Sequence, residues 1–211
     1  QPSQAAATPA AQEMLKRLEP HGLVGLGYAF AGMRHVLSLQ PVASAKDLAN
    51  KKIRSFPSPI YNDWWLANGA APTAMTLSEI APALTTRLLD AVDVDLDALV
   101  GMKLHHQAPY LTLTGHTAFP AVIVASKKWW GMLTDAQRQW VAQAVAGAQQ
   151  WGYQAAIEAD VRNLAQVRAD GAKVVQADLA SFQAVGAQVR EKYVAGNPLV
   201  AAFFQQARQQ R

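Results

Sequence analysis

Two groups of side chains in this sequence have types and spacing that could do chemistry. Asp90, Asp93, Asp95 and Asp97 form an acidic run with Glu79 upstream, and five histidines stand at positions 21, 35, 105, 106 and 116. General acid–base catalysis needs a carboxylate held across a cleft from a second titratable group, with a shifted pKa. Spacing along the chain does not supply that pairing, and an acid–base couple of Asp93 with His116 has no motif behind it. Read as a strand of period two, V-D-V-D-L-D puts Asp93, Asp95 and Asp97 on one face. The plain expectation is a solvated edge that resists pairing with another chain. A cation or ligand contact by Asp93 is the alternative. His105 and His106 are adjacent, and neighbours on a helix point about 100° apart, a poor arrangement for one metal ion.

The familiar chemical signatures are missing. There is no cysteine, hence no thiol catalysis, disulfide or cysteine metal site. No glycine-rich phosphate loop, His-Glu-x-x-His pair or Gly-x-Ser-x-Gly elbow occurs. The expectation is a protein that is not an enzyme and needs neither cofactor nor metal. Net charge is +4, but the basic residues are scattered without interleaved aromatics, so no nucleic acid partner is expected. With 51% hydrophobic and 16% charged residues, the 211-residue chain can build a core. It has no apolar run near the roughly 20 residues that span a bilayer, nor a basic-then-apolar amino terminus. The sequence is expected to be soluble and either processed or incomplete.

The elements that must position such residues read as α/β. Residues 1–11, small and polar with two prolines, read as a flexible lead-in. A short helix from Gln12 to Leu18 precedes an apolar strand in LVGLGYAF. A short helix at Ala45–Ala49, a strand at Lys52–Phe56, a helix at Pro59–Ala67 stopped by Asn68-Gly69, a strand at Pro72–Leu77 and a helix at Glu79–Leu89 capped by Ser78 give a βαβα run. VDVDLDALV reads as a strand with one wet face. Tyr110–Ser126 reads as two β-rich runs split at Gly115-His116 and Pro120. Thr134–Ala169 is a long helix, followed by a strand at Lys173–Gln176, a helix at Asp178–Tyr193 and a last helix after Pro198.

Two segments carry a resemblance to a known family. In the first, Asp47-Leu48, Lys52-Ile53-Arg54, Gly69-Ala70, Pro72 with Met75, Ser78-Glu79 and Leu89-Asp90-Ala91 follow in order. In the second, YLTLTGHTAFPAVIVASKKWWGML leads from a Thr-x-Thr-x-His turn through a long strand into a tryptophan-bearing helix. These resemble TRAP transporter solute-binding proteins, the DctP-type periplasmic substrate-binding subunits, continuously from about Gly22 to Tyr193.

The resemblance implies periplasmic-binding-protein-like (type II) lobes with a long C-terminal helix, and an N-terminal lobe that is incomplete here. On that pattern residues 12–40 and 111–211 form the remainder of the first lobe plus a long hinge helix, and 41–110 form the second, ligand-binding lobe. It implies periplasmic capture of a small organic carboxylate for TRAP membrane subunits. Arg54 takes the role of the arginine that salt-bridges the ligand carboxylate, which its forked, permanently charged guanidinium suits. Arg34 matches a second arginine that reaches the ligand in some relatives. Ser58, Met75 and Leu77 match pocket-lining positions, though without the resemblance Met75 and Leu77 read as core. His116 and Phe119 match ligand-facing positions or are turn residues. Trp64 or Trp65 could wall the pocket, and periodicity does not say which of them faces the core. Asp93 keeps the acid of the family's glutamate with a shorter reach. Val94 stands where relatives carry a polar contact, which disfavours a polyhydroxylated acid and favours a simple or rather apolar one. A lobe left partly uncovered admits a homodimer, and the competing reading is an incomplete lobe that acts as an interaction or dimerising protein without solute capture.

Overall fold

The computed structural model describes residues 2–209. In chain order the elements are α1 (Pro2–Ala6), α2 (Pro9–Lys16), β1 (Leu23–Ser38), β2 (Lys52–Ser55), α3 (Pro59–Ala67), β3 (Ala71–Ala74), α4 (Leu77–Thr85), β4 (Ala91–Val94), α5 (Leu96–Gly101), β5 (Tyr110–Ser126), α6 (Lys127–Met132), α7 (Asp135–Ala169), β6 (Lys173–Val175), α8 (Leu179–Gly196) and α9 (Pro198–Gln209). The strands form one mixed sheet in the order β3-β2-β4-β1-β5-β6. β2 runs parallel to β3 and β4, β5 parallel to β6, and β1 antiparallel to β4. The α/β class expected from sequence is the class found.

The chain divides into two units, with boundaries inside β1, β5, α7 and α8. The first takes in the described residues through Ala31, Pro120–Glu158 and those from Tyr193 on. The second is Gly32–Phe119 with Ala159–Lys192. In the first unit α2 packs on α9, and Gln206 Oε1 accepts from the Ala10 amide at 2.8 Å. Tyr28 donates its hydroxyl to the Ala11 carbonyl at 2.7 Å. Within the lead-in expected to be flexible, Pro2–Ala6 and the residues from Pro9 on are helical. Pro9 opens α2 at a position where a missing N–H costs nothing, and Thr8 caps that helix by accepting from the Ala11 amide.

The second unit has the larger core. Leu37, Ile80, Leu84, Leu89, Val92, Val94, Leu99, Leu104, Leu111 and Val167 form one buried cluster. Several readings of this region change. α4 starts at Leu77 with Thr76 as its cap, because Thr76 and Glu79 form a reciprocal capping box three residues apart; Ser78 lies inside the first turn. The acidic strand ends at Val94, and Asp95 caps α5 by accepting from the Ala98 amide at 2.8 Å. Asp93 is on a central strand and fully buried, not on a solvated edge. β5 is continuous, since Gly115 takes a positive φ of 51° and turns the chain without ending the strand.

Candidate functional site

Every residue of the candidate site lies in the second unit, near the carboxyl ends of the parallel strands β2 and β4. Along β4 the side chains alternate: Val92 and Val94 enter the core and Asp93 leaves from the opposite face. β1 brings Arg34 to that second face, one turn of pleat beyond the Val36–Asp93 pair. Arg54 pairs with Val92 and so departs on the core side, toward the start of α4. Phe56, just past the end of β2, joins the two. Its ring lies 4.7 Å from the Arg34 guanidinium carbon and 4.4 Å from that of Arg54.

The two arginines differ in what they hold. Arg34 Nε donates to Asp93 Oδ1 at 2.7 Å, Nη1 donates to Asp95 Oδ2 at 2.8 Å, and Nη2 donates to the Asp93 carbonyl. Phe119 also packs 4.7 Å from its guanidinium carbon and stacks on Phe56 at 5.2 Å. Arg54 Nε donates to the Met75 carbonyl at 3.0 Å, while its Nη1 is buried without an acceptor. Arg54 is only 4% exposed. Burial, and after it the like charge of Arg34, lower the Arg54 pKa from its ordinary value, with Asp93 acting the other way. The group stays charged in this range of pH.

Asp93 is held below the ordinary carboxylate range. Burial raises its pKa, but His116 and Arg34 together outweigh that. His116 Nε2 is 3.6 Å from Asp93 Oδ1, too long for a hydrogen bond but close enough for charge to matter. The other ring nitrogen, Nδ1, is 2.7 Å from Thr114 Oγ1. The His116 ring stacks on Trp64 at 4.4 Å and meets Trp65 edge-on at 5.4 Å. Asp93 Oδ2, like Arg54 Nη1, is buried without a partner among the described residues.

The structure therefore brings together Arg34, Asp93, His116, Phe119 and Trp64, and links Arg54 to them through Phe56. Met75 contributes its carbonyl, and its half-buried side chain packs on the core. Leu77 is 51% exposed at the start of α4, outside the core cluster. Ser58 heads α3 without a side-chain cap bond. Val94 is in the core, so the expectation of an apolar acid loses its ground: that side chain does not face the site. Phe56 and Tyr61 were missed, and Asp95 was read only as part of the acidic run. The signal for Phe56 was present, an aromatic residue two positions past Arg54 and followed by Pro57. Tyr61 packs edge-on against it at 5.4 Å. His105, buried with Nε2 3.2 Å from Asp170 Oδ2, sits elsewhere in this unit. Among the described residues no group of three or more carboxylates and histidines is arranged to hold a metal ion.

A neighbour of the site gives a pH signature. His35 accepts from the Gly115 amide at its Nδ1, 3.1 Å away. Burial, then the like charge of His116, pushes its pKa from 6.5 down to about 4. The unfolded chain therefore takes up a proton that the native state refuses. Stability is complete above the unfolded value and falls as the pH drops from 6.5 toward 4, by up to about 3 kcal/mol. Urea midpoints recorded from neutral to mildly acidic pH should fall, and His35→Asn should flatten that fall. Midpoints that stay level for the unsubstituted chain contradict the assignment.

A mixed sheet flanked by helices in this order is the fold of the solute-binding proteins of TRAP transporters. A TRAP periplasmic solute binding protein from Pseudomonas putida F1, solved with bound D-glucuronate, matches with a TM-score of 0.84 at 30% identity, over 91% of this chain and 64% of that one. A family model described as bacterial extracellular solute-binding protein, family 7, matches residues 3–197. The chain belongs to that family, one of substrate-binding transport proteins rather than enzymes. It is similar to a solute-binding protein of Verminephrobacter eiseniae, 29% identical over 88% of this chain and 56% of the relative. It is also similar to the 2,3-diketo-L-gulonate-binding periplasmic protein of Escherichia coli, 31% identical over 86% and 56%. The chain thus spans about half the length of these curated relatives. No helix of the described residues is long and apolar enough to cross a membrane.

Proposed function

We propose that this chain captures a small organic carboxylate in the periplasm for a TRAP-type secondary transporter, with residues 41–110 as the ligand-binding lobe and Arg54 as the anchor. The observation that carries this reading is the state of Arg54: a buried guanidinium that, among the described residues, has no carboxylate in ion-pair contact and one nitrogen with no acceptor. Burying a charge without a partner is costly, and a ligand carboxylate accepting from that fork removes the cost. Relatives solved or named with sugar acids support the ligand class. Arg34 serves differently. With each of its nitrogens already donating, it holds Asp93, Asp95 and the Phe56–Phe119 pair in place. His116, Phe119 and Trp64 form the aromatic wall beside it. No covalent step is needed; the function is affinity.

The test is calorimetric titration of the 211-residue chain with D-glucuronate and smaller acids, beside Arg54→Met. Loss of a charge-assisted hydrogen bond of about 1.5–3 kcal/mol weakens binding roughly 10- to 100-fold. Far-ultraviolet circular dichroism should not change. Equal affinity in the two proteins sinks the role of Arg54.

A further inference from the structure

β5 bends where it enters the site, and one side chain of β1 holds the bend. Gly115 has a φ of 51°, which strains any residue with a side chain, although a Cβ there would meet only the Met33 methyl, at 3.8 Å. Backbone shape rather than space sets this position. The side chains flanking the turn meet, with His116 Nδ1 2.7 Å from Thr114 Oγ1. Past the turn the His116 ring lies flat on Trp64, and its Nε2 faces Asp93. The Gly115 amide itself donates to His35 Nδ1 at 3.1 Å, and His35 is only 8% exposed. A ring nitrogen accepts an amide proton only when it carries none, so the His35 ring is neutral with its own proton on Nε2.

We infer that His35 is a positioning residue of the site: its bare Nδ1, by accepting the Gly115 amide, holds the turn in β5 that seats His116 against Trp64 and beside Asp93, and a proton on that nitrogen releases the turn. The inference rests on the carboxylate-capture reading for its effect on a ligand, and on the His35–Gly115 bond alone for its effect on the turn. The charged and titratable groups that act on His35 are His116 on β5, Arg34 beside it on β1, Asp93 on β4 and Asp95 at the start of α5. Burial, then His116, oppose a proton on the ring, with Arg34 a lesser contributor, and the two carboxylates favour it. The balance lies against the proton, with a pKa of about 4, so the ring is an acceptor at neutral pH. In acid, an Nδ1–H faces the Gly115 N–H. Two donors then meet with no acceptor between them, and the amide loses its partner.

Two variants of the 211-residue chain separate the hydrogen bond from mere packing. His35→Leu removes the acceptor, whereas His35→Asn puts an amide oxygen near the place of Nδ1 and takes up no proton. Deuterium exchange of the Gly115 amide, followed by nuclear magnetic resonance and taken relative to the amide of fully buried Val92, reads the turn without a ligand. At pH 7 this ratio should rise about tenfold in His35→Leu and return to within about twofold in His35→Asn. As the pH falls toward 4 it should rise in the unsubstituted chain and stay level in His35→Asn, an arm that holds even if His35→Leu does not fold. Calorimetry with D-glucuronate at pH 7 should show about tenfold weaker binding by His35→Leu, restored in His35→Asn. A Gly115 ratio that neither His35→Leu nor acid changes overturns the inference, and so does equal affinity in His35→Leu and the unsubstituted chain. If D-glucuronate binds none of the three proteins, the capture reading is what fails, and the exchange ratios alone uphold or overturn the hold of His35 on the turn.

Discussion

Arg34→Met is expected to lower the unfolding free energy by about 3–5 kcal/mol, because removing one member of a buried ionic group strands the others. The side chain is 3% exposed, and its fork holds two carboxylates and a carbonyl from β4 and the start of α5. Methionine fills much of the stem's volume, so the loss is electrostatic rather than a cavity effect. Contacts with Phe56 and Phe119 add to it, since a guanidinium over an aromatic face is favourable when desolvated. The variant has a pH signature that a packing defect lacks. A buried carboxylate deprived of its cation takes up a proton more readily, so the deficit shrinks as the pH is lowered. Urea unfolding monitored by tryptophan fluorescence at several pH values tests both claims. A loss under about 1 kcal/mol, or a deficit that does not change with pH, rules out the ionic account.

This trio also shows why the sequence was legible in parts. Punctuation gave the bounds of α3 without error: Pro59 opens it and Asn68-Gly69 closes it. The strand bearing Arg54 was placed to within one residue. These are local signals. The depth of Asp93 is not local. Alternation tells which residues share a face, but whether that face is wet depends on a partner 59 positions away in Arg34. A run of aspartates next to valines reads as solvated until its cation is found. Asp95 and Asp97 were read as strand for a related reason: period two continued in type after the backbone had turned at Val94 into α5. The resemblance points to Arg34 as a ligand arginine, but its pairing with Asp93 and Asp95 is not legible in the sequence. Phe56 is the converse case, an aromatic residue in plain view whose place between two arginines exists only in three dimensions.

Trp65→Ala is expected to cost about 3–5 kcal/mol, the range for removing a large aromatic residue from a core. The choice between Trp64 and Trp65, open from periodicity, is settled by α3 burying both: Trp65 is fully buried and Trp64 is 9% exposed. Adjacent helix residues point about 100° apart, so a helix buries both only when its covered face is wide. Here one side of that face meets His116, and Phe182 of α8 lies beyond Trp64 at 6.4 Å. Trp65 touches both Trp64, at 4.5 Å, and His116 edge-on, so its loss should also loosen the imidazole that faces Asp93. Trp65→Phe separates the contributions. The indole Nε1 is buried without an acceptor, and phenylalanine removes that orphaned donor along with part of the ring. The phenylalanine variant should therefore lose less than about 2 kcal/mol, and its urea dependence should keep the same slope while the midpoint moves. If phenylalanine costs as much as alanine, the Nε1 has a hydrogen-bond partner in solution, and the indole is held by that bond as well as by packing.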